Sequence, residues 1–310
     1  MPQPIEAPYA AWSKGVFKVQ SLRAKTKAGK PAGIALQAAP REPRSKGVKK
    51  LPSRRSGGTL VVLQPLFAPF YHPGSGNTHV FPDMLDMLGS TPVLSLEKLT
   101  NQMSGFGTHR PNITVKLESM NPAWSVKARP AVHMLEQAEK RGYIGPGTVI
   151  VESSSGNTAI AMAMVSAMKG YRFKPVVDVK MPQAKLDLLR VFGAEVEMVG
   201  DPRVPPEEQD MVSLKKGRRA TVERLLLELG DNGFSPNQYA NPDNAGAHII
   251  STGPELLEQL GGKIDAIVLP ISTGGMIGGI GRFIKEHVPS CTLVGTEPIG
   301  STILQQVGCC

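Results

Sequence analysis

The sequence predicts an α/β fold in which a parallel sheet is wrapped by helices. From about residue 83, short β-branched apolar runs alternate with amphipathic stretches of helical period, the rhythm of strand and helix in turn. The polar, glycine-bearing segments fall directly after strand candidates, where ligands bind in such sheets. Hydrophobic residues make up 41% and charged residues 20% of 310 residues, enough apolar material for an ordinary globular core. Strands are expected at 113–118, 148–152, 173–179, 194–199, 265–271 and 292–297. Helices are expected at about 127–141, 157–168, 183–192, 214–229, 253–260 and 276–287.

The formal charge of +9 is unevenly placed. Residues 1–60 hold thirteen Lys/Arg against Glu6 and Glu42, while the rest carries 22 basic and 24 acidic residues. The body therefore lacks the basic footprint of a nucleic-acid binder. The extension has too few apolar side chains to offset the entropy of ordering, and disorder is expected there. Trp12, Val16 and Val19, at helical spacing around Lys14 and Lys18, also fit a transit peptide. A cytoplasmic location is expected, with a mitochondrion or plastid as the alternative. Residues 61–82, broken by prolines, read as a loop. No apolar run reaches the roughly 18 residues that a membrane-spanning helix needs. Three cysteines, Cys291 and the terminal Cys309 and Cys310, give neither a disulfide framework nor a metal-ligand spacing.

Three loops carry chemistry. NPAWSVKAR (121–129) runs into a helix with Ser125 as a cap and Lys127 in the first turn, where the helix dipole disfavours an ammonium and suits a nucleophilic amine. A solvated surface lysine would look the same. ESSSGNTAI (152–160) gathers hydroxyls at Ser153, Ser154, Ser155 and Thr158 with the amide of Asn157 at a helix start, a cradle for a carboxylate or phosphate, or simply a capped helix. STGGMIGG (272–279) offers Ser272, Thr273, Gly274, Gly275 and Met276, a backbone that can approach a phosphate closely. Glu297 lies where a ribose-binding acid would in a dinucleotide fold, but Met276 stands where the G-x-G-x-x-G fingerprint needs glycine. One lysine and two anion loops fit pyridoxal phosphate, which needs a lysine amine and a phosphate cup.

With these loops, LGSTPVLSL (88–96), KLESMNPAWSVKAR (116–129), FGAEVEMV (192–199), NQYANPDNAGAH (237–248) and TGPE (252–255) stand in an order and spacing that resemble the cysteine synthase and cystathionine β-synthase family of fold type II pyridoxal-phosphate enzymes. The resemblance runs from about 83 to 310. It implies two open, twisted, mostly parallel sheets flanked by helices, a smaller subdomain at about 127–232, and a homodimer acting on amino-acid substrates. It further implies that Lys127 bonds the cofactor and removes the substrate Cα proton, and that Asn157 meets the cofactor's ring hydroxyl. Ser154, Ser155, Thr158 and Gln238 would bind the substrate carboxylate, and Ser272, Thr273, Gly274, Gly275 and Met276 the cofactor phosphate. The expected reaction is β-replacement on O-acetylserine or O-phosphoserine through an aminoacrylate. ESSSGN, GYRF (170–173) and NQYANPDNAGAH are more similar to the branch making 2,3-diaminopropionate precursors than to housekeeping cysteine synthases.

The sequence also departs from the family. Trp124 replaces a glycine and is expected to crowd the cofactor, Ala128 an aspartate, Ala159 a glycine, and Met276 a threonine whose hydroxyl would meet the phosphate. Family members continue past EPIGSTIL (297–304) to a serine-glycine motif at the pyridine nitrogen, so part of the larger domain is expected to be missing. An inactive ligand-binding homologue is the second reading, and a dinucleotide-binding protein the third. Leu225, Leu226, Leu227 and Leu229 are expected as a buried stripe, and Lys215, Lys216, Arg218 and Arg219 as a solvated face.

Overall fold

A computed structural model describes residues 17–21, 34–38, 81–102, 111–299 and 301. Its first elements are strands β1 (Phe17–Ser21) and β2 (Ile34–Ala38), antiparallel to each other. They correct the expectation of disorder at these ten positions. FKVQ alternates with period 2 and IALQA is a short apolar run, strand patterns that the helical reading of Val16 and Val19 overlooked. The rest of the 1–60 extension, Trp12 included, and the loop up to residue 80 lie outside the described residues.

A short hairpin-like pair follows, β3 (Val93–Ser95) and β4 (Thr114–Lys116), with the one-turn helix α1 (Glu97–Thr100) after β3. Helix α2 (Ala128–Lys140) carries the lysine loop at its start. Then come β5 (Val149–Ser153), α3 (Asn157–Lys169), β6 (Arg172–Asp178), α4 (Gln183–Val191), β7 (Glu197–Val199), α5 (Met211–Leu229) and β8 (Gly233–Phe234). These four strands form one all-parallel sheet in the order β7-β6-β5-β8.

Both faces of this sheet are covered, as parallel sheets require. Ile150 and Val177 point into a core with α2, α3 and α4, packed by Leu135, Met162, Met164 and Leu189. Val149, Val151 and Val176, on the opposite face by strand alternation, pack on Leu225 of α5. Leu226 and Leu229 also touch that core, but Leu227 is 84% exposed, which removes it from the expected stripe. A residue between two core-facing neighbours at 225 and 229 faces away at 100° per residue.

The chain then runs through α6 (Pro242–Ala247), a π-helical turn (His248–Thr252) and α7 (Gly253–Gln259) to β9 (Ala266–Pro270), α8 (Gly275–His287) and β10 (Thr292–Thr296). β9 and β10 are parallel, and β2 pairs antiparallel on the outer side of β10, giving the sheet order β1-β2-β10-β9. Ile277, Ile280 and Ile284 of α8 build its core with Leu269 and Leu293. The β7-β6-β5-β8 sheet is parallel throughout, as expected, whereas the second sheet is parallel only between β9 and β10 and antiparallel where β2 and β1 extend it.

A buried ionic cluster ties these parts together. Arg129, 2% exposed, donates to both oxygens of Glu118 at 2.8 Å and to Glu255 at 2.6 and 2.8 Å. Lys116 pairs with Glu255 at 2.8 Å and reaches the Thr91 carbonyl. LGSTP, KLE, the lysine loop and TGPE thus meet at one cluster. Burial alone would raise the Glu255 carboxyl, but hydrogen bonds and charge from Arg129, with Lys116, hold it down at about 2. Among the described residues no helix is long and apolar enough to cross a membrane.

Candidate active site

Lys127 sits at the N-cap of α2, one residue before the helix proper, and its backbone N–H reaches Ser125 Oγ at 3.4 Å. Ser125 therefore holds the turn that delivers the lysine rather than capping the helix itself. Burial lowers the Lys127 pKa, and no carboxylate pairs with it among the described residues. A desolvated amine without a counter-ion favours the neutral, nucleophilic form.

Its Nζ donates to Thr273 Oγ1 at 3.4 Å, joining the lysine loop to the glycine loop 146 residues away. Gly274 (φ +80°) lies in the left-handed region immediately before α8, a conformation that glycine adopts without steric cost. The helix begins at Gly275, so its leading N–H groups have no partner within the helix. Ser272 is exposed beside them. Met276 packs its side chain into the core of the β9–β10 sheet, so this position offers only its backbone to a ligand.

Thr158 Oγ1 donates to Gln238 Oε1 at 2.6 Å, both buried. Ser154 is buried too, and its Oγ accepts the Gly156 N–H at 3.3 Å. Asn157, first residue of α3, is exposed, and its side chain makes no hydrogen bond among the described residues. Ser155 does not join this group: its Oγ donates to Asp178 at 2.9 Å and accepts from Arg218 Nη1 at 2.9 Å. Arg218 also pairs with Asp178 at 3.3 Å, its side chain 13% exposed, which takes it out of the expected solvated face. The loop's hydroxyls diverge, Ser155 toward α5 and Thr158 toward Gln238.

Two residues escaped the sequence reading. Asn244 of α6, 3% exposed, donates to the Gln238 carbonyl at 2.6 Å and to Thr273 Oγ1 at 3.1 Å. Glu152, 2% exposed at the end of β5, lies against the Asn237–Gln238 turn. Burial pushes its carboxyl up to about 7, against the pull of the Asn237 and Gln238 N–H groups and the Gln238 side chain. The helix that carries Asn244 is only six residues long, capped by Asn241 with Pro242 in its first turn and interrupted by Gly246, and carries too few apolar residues to show a period.

Trp124 is not packed against the lysine but 62% exposed. Ala123 (φ +60°) and Trp124 (φ +53°) both adopt left-handed backbone, which accounts for the glycine that the family has at the latter place. Glu297 accepts a hydrogen bond from Ser301 at 2.7 Å.

The donor set suits pyridoxal phosphate. The glycine loop presents hydroxyls and backbone N–H groups, and a Cβ on Gly275 would come within 2.2 Å of Asn244 Oδ1, so the backbone packs closer there than any side chain permits. A buried amine whose pKa is lowered by desolvation stands at the loop's edge.

A cysteine synthase B of Escherichia coli (strain K12) is 39% identical over 213 residues, covering 68% of this chain and 64% of that one. The chain thus spans somewhat under two thirds of that relative's length. Two crystal structures are similar. One is a hydrogen sulfide-producing enzyme from Fusobacterium nucleatum, with TM-score 0.63, 33% identity, and 73% of this chain and 70% of that one covered. The other is O-acetyl serine sulfhydrylase isoform 3 from Entamoeba histolytica, with TM-score 0.65, 30% identity, and coverage of 76% and 66%. A family model described as pyridoxal-phosphate dependent enzyme matches residues 84–308. That span takes in the amine at 127, the hydroxyls at 154 and 158, and the glycine loop at 272–276, and the chain belongs to this family, with a cysteine synthase-like fold type II architecture.

Proposed function

We propose that this chain catalyses β-replacement on an activated serine, O-acetylserine or O-phosphoserine, using pyridoxal phosphate and yielding cysteine or a related β-substituted alanine. The observation that carries the reading is the Lys127–Thr273 contact, which puts a buried amine with no carboxylate partner among the described residues against the glycine loop. The net reaction breaks the Cβ–O bond, releases acetate or phosphate, and forms a bond from Cβ to the incoming nucleophile.

Bound pyridoxal phosphate supplies an electron sink for the bonds at the substrate Cα and Cβ. The protein supplies the rest. Lys127 holds the cofactor and takes the Cα proton on its amine. Ser272, Thr273, Gly274, Gly275 and the Met276 backbone hold the phosphate, and Asn157 the ring hydroxyl. Ser154, Thr158 and Gln238 receive the substrate carboxylate, while Ser155 anchors the loop from behind through Asp178 and Arg218. A homodimer and a subdomain boundary near 127 and 232 belong to the same reading, and sedimentation velocity measures the former.

The test is purification with pyridoxal phosphate, borohydride reduction and peptide mass analysis. The cofactor mass is expected on the peptide bearing Lys127 and is expected to vanish in Lys127→Ala. Release of acetate from O-acetylserine, or phosphate from O-phosphoserine, identifies the leaving group. Cofactor retained covalently by Lys127→Ala would refute the assignment of the amine.

A further inference from the structure

We propose that Asn244 is a positioning residue: it locks the Gln238 turn to the glycine loop and fixes the Thr273 hydroxyl as a donor into the site. The proposal rests on the functional reading given above, in which Gln238 serves the substrate and Thr273 the cofactor phosphate.

The carboxamide orientation follows from chemistry. The Gln238 carbonyl can only accept, so the atom 2.6 Å from it is the Asn244 nitrogen. The same nitrogen uses its second hydrogen on Thr273 Oγ1 at 3.1 Å. Thr273 Oγ1 also receives Lys127 Nζ at 3.4 Å. A hydroxyl has two lone pairs and one proton. With both lone pairs facing N–H donors, the proton is left to be donated to an acceptor outside this set. A bond between Lys127 and a cofactor removes hydrogens from the amine, and Asn244 then becomes the donor that keeps Thr273 oriented.

Two independent observations show that the surroundings are arranged around this carboxamide. Asn244 Oδ1 is buried without a hydrogen-bond partner among the described residues, a cost that folded proteins seldom leave in place. A Cβ on Gly275 would lie 2.2 Å from Oδ1 and 2.4 Å from Cγ, so α8 begins with the single residue type that leaves the carboxamide room. The resulting chain runs Thr158–Gln238–Asn244–Thr273–Lys127 and couples the substrate side to the cofactor side.

The experiment uses the protein loaded with pyridoxal phosphate and compares wild type, Asn244→Ala, Gly275→Ala and the double variant. Three quantities are read: the cofactor dissociation constant, the phosphorus NMR shift of its phosphate, and KM against kcat for the serine ester that the wild type uses. Asn244→Ala is expected to weaken cofactor binding and raise KM, each about tenfold, the scale of one lost hydrogen bond, and to move the phosphorus resonance. Gly275→Ala is expected to reproduce these losses by displacing the carboxamide. In the double variant the new methyl occupies the space that Asn244 vacates, so it is expected to be no worse than Asn244→Ala alone. Should Asn244→Ala fail to fold, Gly275→Ala decides by the same readouts. Variants within twofold of wild type in both constants with an unmoved phosphorus resonance, or a double variant with additive losses, would overturn the positioning role while leaving the functional reading intact. A wild-type protein that takes up no cofactor would overturn both.

Discussion

Glu152 and Lys127 are titratable groups that burial pushes toward neutrality, one from each side. For Glu152 the folded chain keeps its proton up to about pH 7, whereas the unfolded chain gives it up near 4.5. A raised carboxyl pKa penalises the folded state once the unfolded chain has ionised, so its effect on stability worsens as pH rises from about 4.5 to 7. Glu152→Gln is expected to be insensitive to this window, gaining stability relative to wild type as pH climbs; urea midpoints at pH 5 and pH 8 measure it. Lys127, whose pKa is lowered, is expected to capture pyridoxal phosphate with a pH midpoint below the ordinary 10.5, read from the pH dependence of the capture rate. At this scale the sequence was partly legible. Lys127, Thr158 and Thr273 could be picked out because their loops follow strand candidates, whereas Gln238 was reached only through the family resemblance. Ser154 and Ser155 could not be told apart, because neither spacing nor composition reveals that Asp178 and Arg218 wait on one side of the loop only. Asn244 was hidden for the same reason, since its partners lie on other segments.

Helix α5 shows what an element contributes to a loop it does not carry. Asp210 caps it through the Ser213 N–H at 2.7 Å, and eight residues on from Asp210 its Arg218 reaches Asp178 and Ser155. Arg218→Met removes the cation from a carboxylate that is 2% exposed and frees the Ser155 hydroxyl. It is expected to destabilise the protein by about 3 kcal/mol, the lower end of the cost of breaking a buried pair, and to raise KM for the serine ester; chemical denaturation and steady-state kinetics measure the two effects. Six strands and six helices were readable because their apolar residues recur with period 2 or 3.6. The stretch 242–252 resisted. It holds only six residues of helix interrupted by Gly246, followed by a π turn just before Pro254, a residue with no N–H to donate. β8, two residues long, carries too little pattern to be seen.

For the whole molecule, the Arg129 cluster ties Thr91, Lys116 and Glu118 to helix α2 and helix α7. Arg129→Met leaves the half-buried Glu118 without its cation and Glu255 with Lys116 alone, and is expected to cost about 3 kcal/mol, measurable as a drop in the urea midpoint. Glu255, held at about 2 against 4.5 unfolded, contributes stability that is present above pH 4.5 and lost as pH falls from there toward 2. Wild type is expected to unfold in that acid window, with Glu255→Gln showing a shallower pH dependence. The alternation of elements made the fold class legible, but no periodicity announces that residues 118, 129 and 255 share one cluster.

That cluster also sets an order of events. Arg129 finds Glu118 only 11 positions away, but Glu255 is 126 positions downstream and Gln259 lies 168 beyond Thr91. Contacts of such separation form late, because the chain between them must close first. During synthesis the helix that begins after Lys127 is therefore expected to stay half anchored until more than a hundred further residues have left the ribosome. Until then the amine has neither its glycine loop nor its final anchor, and a nascent chain arrested before residue 255 is expected to be unable to take up cofactor.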